Sequence, residues 1–136
     1  MRLYRVINLD RGVVLAERAR MASRARERLR GLLGSESLSP GEGLILRPCW
    51  QVHTFGMRYP IDVLFLDAKG IVARVVLGMR PGRLSPLVLR SRTVVELPAG
   101  VLRETGTRPG DRIGFQPDFP RRTGTPATGT YLSRRD

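Results

Sequence analysis

This chain is poor in the residues that most often build reactive sites. It has one cysteine (Cys49), one histidine (His53), one tryptophan (Trp50) and one lysine (Lys69). A single cysteine excludes an internal disulfide and argues against a structural zinc site, which takes several thiolates. A single histidine excludes the two-histidine metal motifs. The glycines at 78 and 82 lack the spacing and the lysine of a phosphate-binding loop, and no Gly-x-Ser-x-Gly elbow occurs. No stretch approaches the roughly 18 apolar residues of a membrane span. Behind Met1–Arg5 the apolar run Val6–Leu9 is cut short by Asp10-Arg11, so no export signal is read. The expected compartment is therefore the cytoplasm, with no membrane partner, no cofactor and no metal.

Acidic groups are scarce as well: 12 against 24 basic ones, for a formal charge of +12. Residues 41–70 carry three of each sign and are neutral, so the excess lies on either side of the middle of the chain. A basic surface attracts nucleic acid in a salt-dependent way. The aromatics Phe55, Tyr59 and Phe65, however, fall in the neutral stretch, whereas single-strand binders interleave aromatics with cations. Arginine used almost to the exclusion of lysine reads more simply as a solvated surface.

What is present is a series of short apolar runs between turn signals, within a length of 136 residues that suits one domain. Strands are expected at 3–9, 13–16, 43–46, 51–55, 61–66, 71–77, 93–97 and 112–115, with a weaker edge strand at 87–89. Asp10-Arg11-Gly12 and Asp67-Ala68-Lys69-Gly70 read as hairpin turns. Residues 17–22 are ambiguous. Ala25, Leu29, Leu32 and Leu33 share a helical face behind the cap Ser23, predicting a helix over 23–33 stopped by Gly34. Ala99–Glu104 reads as one helical turn closed by Gly106. From 116 to 136 Pro, Thr, Gly and Arg dominate, which predicts a disordered tail after a domain of residues 1–115. Many short strands without βαβ alternation predict a mainly β fold: a compact β-barrel or jelly-roll-like sandwich with one short α-helix.

The chemistry concentrates between Cys49 and Leu77. Strand alternation puts Gln51, His53 and Phe55 on one side and Val52 and Thr54 on the other. Cys49 and His53 are four residues apart, about 13 Å along a strand, too far for a thiol and its base. Asp62 opens the apolar run 61–66 on the side of Leu64 and Leu66; Glu96 sits in Thr93–Leu97 on the side of Val94. Two carboxylates on apolar strands suit either an acid–base pair or ion pairs with the arginines of the helix. The arginine reading is favoured, because guanidinium groups are abundant and pair bidentately.

Four blocks in this order resemble a known family. They are Arg28-Leu29-Arg30-Gly31-Leu32-Leu33-Gly34; His53-Thr54-Phe55-Gly56-Met57-Arg58-Tyr59-Pro60-Ile61-Asp62-Val63-Leu64-Phe65-Leu66-Asp67; Val94-Val95-Glu96-Leu97-Pro98-Ala99-Gly100; and Gly110-Asp111. The chain resembles the prokaryotic Domain of Unknown Function 192 over about residues 13–115. The resemblance implies a compact, mainly β domain without an established activity. Arg28 or Arg30, Gly31, Phe55, Met57, Asp62 and Glu96 match its shared positions, with Gly31 and Phe55 as packing residues. Many members have Trp where this chain has Gly56, so a pocket there would be wider, or filled by Trp50 or Tyr59. Many members also carry export signals.

The resulting expectation is a non-enzymatic module that binds a small ligand or peptide in a cleft near residues 53–62, formed by His53, Met57, Asp62, Glu96 and Arg30. The alternatives are a hydrolase-like enzyme using Asp62 and Glu96 with His53, and a nucleic-acid-binding module acting through surface arginines.

Overall fold

In the computed structural model residues 2–22 and 38–117 are described. The helix expected at 23–33, with Arg30 and Gly31, lies outside the described residues, as does the expected tail beyond Pro117. The strands are β1 (Leu3–Asn8), β2 (Val13–Ala22), β3 (Glu42–Leu46), β4 (Ile61–Leu66), β5 (Val72–Met79), β6 (Thr93–Pro98) and β7 (Ile113–Pro117), with helix α1 (Val101–Thr105) between the last two. They form one sheet in the order β5-β4-β6-β3-β2-β1-β7, curled into a half-barrel. The fold is mainly β, as the turn spacing predicts.

Both expected hairpins form. β1 pairs antiparallel with β2, and β4 with β5. In the second turn the Asp67 side chain accepts hydrogen bonds from the backbone N–H groups of Lys69 (2.9 Å) and Ile71 (3.0 Å), and Gly70 takes the positive φ of 81° that closes the loop. β2 is longer than the expected 13–16. Its first part pairs with β1, while Arg18–Ala22 pair in parallel with Glu42–Leu46 of β3. Pairing on two sides carries the ambiguous residues 17–22 into the sheet. It also adds one parallel pair to an otherwise antiparallel architecture. β7 extends to Pro117 because Arg5 and Tyr4 of β1 pair with Gln116 and Pro117.

The two edges of the sheet meet at one point. Ile71 and Arg112 form an antiparallel bridge, flanked by hydrogen bonds from Val72 N–H to Asp111 O (2.8 Å) and from Ile113 N–H to Gly70 O (2.9 Å). This contact bends the sheet towards a barrel and divides its faces into two cores. The inner core takes residues from all seven strands, among them Val6, Ala19, Ile45, Leu64, Val95 and Ile113, together with Leu102 of α1. The outer core covers β3, β4 and β6 with Leu44, Val63, Phe65 and Val94, and is roofed by Val52, Met57 and Val88 from loops.

The roof consists of residues 49–57 and 80–92 running against each other. Thr54 N–H donates to Arg83 O (2.9 Å), Ser85 N–H to Val52 O (2.9 Å), Val88 N–H to Trp50 O (2.9 Å) and Cys49 N–H to Arg92 O (3.1 Å). The expected strand 51–55 is reduced to one bridge, His53 with Leu84, and 87–89 is not a strand. The alternation of 51–55 survives nonetheless: Val52 and Thr54 are buried and Gln51, His53 and Phe55 face outward. Side-chain hydrogen bonds replace the missing ladder. Thr54 Oγ1 donates to Arg80 O (2.6 Å) and accepts from Arg83 N–H (2.9 Å), and Ser85 Oγ accepts from Val52 N–H (3.0 Å).

Candidate functional site

Asp62 is 1% exposed and points into the inner core, opposite Leu97. Its carboxylate is taken up by three backbone amides. Oδ1 accepts from Gly78 N–H at 2.8 Å; Oδ2 accepts from Gly100 N–H at 3.0 Å and Leu102 N–H at 2.9 Å. Gly78 lies where the pairing of β4 with β5 shifts register between Ile61 and Val63, so its amide is turned away from the ladder. Gly100 and Leu102 begin α1. The arginines of the helix, expected as ion-pair partners, lie outside the described residues; among the described ones, the carboxylate is an anchor that ties β5 and α1 to β4. A buried carboxylate is tolerable when amide donors surround it, and α1 has too few turns to cap itself.

Glu96 is fully buried but faces the other way. It stands opposite Val63 and Leu44, both members of the outer core. Residues directly opposed in an antiparallel ladder share a side, so the sheet itself separates the two carboxylates. They do not form the acid–base pair of the hydrolase alternative. Met57 is buried in the outer core too. His53 stays in the roof, where its ring stacks on Phe55 with centroids 4.9 Å apart and its Nδ1 accepts from Phe55 N–H at 3.3 Å. The Cys49 thiol donates to Gln51 O at 3.3 Å. Met57 and Glu96 therefore share one core, Asp62 belongs to the other, and His53 is on the outside. Phe55, expected as a packing residue, is half exposed.

An open cleft of about 550 Å³ lies elsewhere, at the end of the curl where β4 stops and β6 and β7 start. Its floor is apolar, with Leu66, Ile113 and Phe115; its rim carries Arg47, Lys69 and Arg92. Arg47 is held in place: its Nε–H donates to Thr93 Oγ1 at 2.8 Å and its guanidinium lies 5.5 Å from the Phe115 ring centroid. Asp67 also borders the cleft, but its carboxylate is engaged by the turn. The Ile71 N–H, against a smaller opposing effect of burial, and then the Lys69 N–H and the charges of Arg90 and Lys69 hold it below the usual carboxylate range. The cleft therefore presents three cations and one spoken-for anion over an apolar floor. Nothing in the sequence marked it, because its walls come from strand ends as far apart in the chain as Arg47 and Phe115.

A second polar cluster also escaped sequence reasoning. Asp111 Oδ2 accepts from Arg11 Nε (2.7 Å), Asn8 Nδ2 (3.0 Å) and Arg108 N–H (3.1 Å), and Asn8 Nδ2 also reaches Thr107 Oγ1 at 3.1 Å. It locks the β1–β2 turn to the start of β7 and serves the fold. Among the described residues no three His, Cys, Asp or Glu side chains gather as a metal-binding group, and no helix is long and apolar enough to cross a membrane.

Among the described residues, a half-barrel of seven strands with one short helix and a cationic cleft at one end defines a small, mainly β domain. The chain belongs to the family Domain of Unknown Function 192, described as Uncharacterized ACR, whose model matches residues 6–115. Among solved structures it is similar to a protein of unknown function from Novosphingobium aromaticivorans, with 22% identity, a TM-score of 0.70 and coverage of 82% of this chain and 83% of that one. It is also similar to a protein from Sinorhizobium meliloti provisionally described as a transcription regulator, with 21% identity, a TM-score of 0.68 and coverage of 84% and 92%. At these identities the likeness is one of fold. No curated protein matches the chain.

Proposed function

We propose that this protein is a non-enzymatic binding module whose ligand is a small anion with an apolar part, held in the cleft at the end of the half-barrel. The observation that carries this reading is the arrangement of Arg47, Lys69 and Arg92 around a floor of Leu66, Ile113 and Phe115 in a volume of about 550 Å³. That volume lies within the range of small-molecule sites, which combine an apolar lining with a few convergent polar groups. Arg47 is already oriented, so little side-chain freedom is lost when it meets a carboxylate or phosphate.

The reading keeps the small-ligand function expected from the sequence and moves its place. His53, Met57, Asp62 and Glu96 are distributed over two cores and an outer surface, which speaks against a common cleft near 53–62. The same separation removes the geometric basis for hydrolysis by two carboxylates. Arg30 and the cytoplasmic compartment remain expectations of the sequence within this proposal.

A thermal-shift screen with small carboxylates and phosphate esters tests it. A ligand at 100 times its dissociation constant adds about 2.7 kcal/mol of stability. The stabilising compounds should be anions, and Lys69→Gln combined with Arg92→Gln should abolish their effect. Stabilisation that persists in the double variant, or that comes only from uncharged compounds, would disprove the assignment.

A further inference from the structure

The roof formed by residues 49–57 and 80–92 is amphipathic in an unusual sense. Its inner side is anchored in the outer core by Val52, Met57 and Val88. Its outer side carries Trp50, Phe55, Leu84, Leu87 and Leu89, five of the seven large apolar side chains exposed among the described residues. Single exposed leucines are ordinary, but a cluster on one ribbon is not. The exposure is also high, at 47% for Trp50, 52% for Phe55 and 77% for Leu89, so these side chains project rather than line a groove. The backbone pairing of Trp50 with Val88, Val52 with Ser85 and His53 with Leu84 makes them neighbours on one surface.

Charge defines what such a surface can meet. Arg47, Arg58, Arg80, Arg83, Arg90 and Arg92 are all exposed and all belong to the roof or its flanks. No acidic residue occurs in 43–61 or 68–95, the stretches that contain the roof. A second copy of the chain would set six more arginines against these six. The partner must therefore be anionic and must also accept projecting leucines, tryptophan and phenylalanine. Single-stranded nucleic acid supplies the charge, but it engages aromatic faces and offers little to three leucines. A bilayer with anionic headgroups supplies both: arginine attracts the surface, apolar side chains enter below it, and tryptophan settles at the boundary.

We infer that the roof formed by residues 49–57 and 80–92 docks this protein peripherally on anionic lipid membranes, with Trp50 and the leucines at 84, 87 and 89 entering the interface. The absence of a membrane-spanning segment, on which the expectation of no membrane partner rests, concerns crossing a bilayer; lying on one asks for the residues found here.

Trp50 is the only tryptophan, so its fluorescence reports on this surface alone. The full chain is mixed with neutral phosphatidylcholine vesicles and with vesicles containing about one third phosphatidylglycerol, and binding is also followed by flotation. The expected result is a blue shift and at least about tenfold stronger binding to the anionic vesicles, weakening as salt rises. Leu84→Ser, Leu87→Ser and Leu89→Ser together should reduce this binding about tenfold while the melting temperature is retained, because these side chains are exposed. Arg80→Gln with Arg83→Gln should reduce it as well. Wild-type binding by the triple leucine variant would overturn the inference, as would equal binding to neutral vesicles. A Trp50 response to single-stranded oligonucleotides with none to vesicles would assign the surface to nucleic acid and overturn it too.

Discussion

Asp62 Oδ2 accepts a hydrogen bond from the backbone N–H of Leu102 at 2.9 Å, across 40 residues of sequence. The same carboxylate holds Gly100 and Gly78. The most functional-looking acid in the chain is therefore a fold anchor. Replacing it leaves three backbone donors short of an acceptor, two of them at the start of α1. Asp62→Ala should lower stability by about 3 kcal/mol or more. Asp62→Asn should recover little, because its NH2 group would face N–H donors. Urea unfolding checks both; a fully stable Asp62→Asn protein would contradict the anchor.

Acid should weaken the fold through Asp111. Burial pushes its carboxyl up, but hydrogen bonds from Arg11, Asn8 and the Arg108 N–H, with the Arg11 charge, outweigh this and leave it below the usual carboxylate value. A group whose pKa is depressed by folding contributes stability that is present above its unfolded pKa and lost as pH falls through its folded one. Asp67 acts in the same direction. Stability should therefore decline as pH falls below the ordinary carboxylate range, and Asp111→Asn should be less stable at neutral pH with a shallower acid decline. Unfolding midpoints measured across that range give the comparison.

Two glycines separate backbone strain from crowding. Gly70 has φ 81°, and an added Cβ would lie 3.1 Å from Ile113 O; Gly82 has φ 75° with nothing within 4 Å. Gly82→Ala should cost about 1 kcal/mol, the strain of the left-handed conformation. Gly70→Ala should cost more, because the neighbouring carbonyl is that of Ile113, whose N–H bonds Gly70 O in the contact joining the two sheet edges. Equal losses in calorimetry would show that the carbonyl moves aside freely.

Thr54 is fully buried, and its hydroxyl joins the two halves of the roof through Arg80 O and Arg83 N–H. Thr54→Val keeps the shape and removes both bonds. A loss of about 1–2 kcal/mol is expected, with faster amide exchange at Arg83. Unchanged exchange there would mean that Val52, Met57 and Val88 hold the roof by packing alone.

Much of the fold is legible in the sequence, because alternation and turn chemistry are local. The apolar run 61–66, the Asp-Ala-Lys-Gly turn and Gly106 after the helical turn each carry their own instructions. The length of β2 is not legible: Glu17-Arg18-Ala19-Arg20-Met21-Ala22 has no strand pattern and becomes strand through β1 and β3. The candidate site was harder still. Parity within a strand assigns Asp62 to the side of Leu64 and Glu96 to the side of Val94, but the relation between these sides depends on register. The observed register puts Val63 opposite Glu96; a slip by one residue would have put Asp62 there and made a carboxylate pair.

The sequence by itself determined the β class, the hairpins, the family and the shared side of Gln51, His53 and Phe55, since each follows from neighbours within a few residues or from ordered motifs. Only the tertiary structure decided that Asp62 and Glu96 face opposite cores, that a cationic cleft opens between strand ends, and that Trp50 and three leucines stand exposed among arginines. Those features depend on long-range register and on the meeting of the sheet's two edges, where interactions between distant residues outweigh the preferences of any single segment.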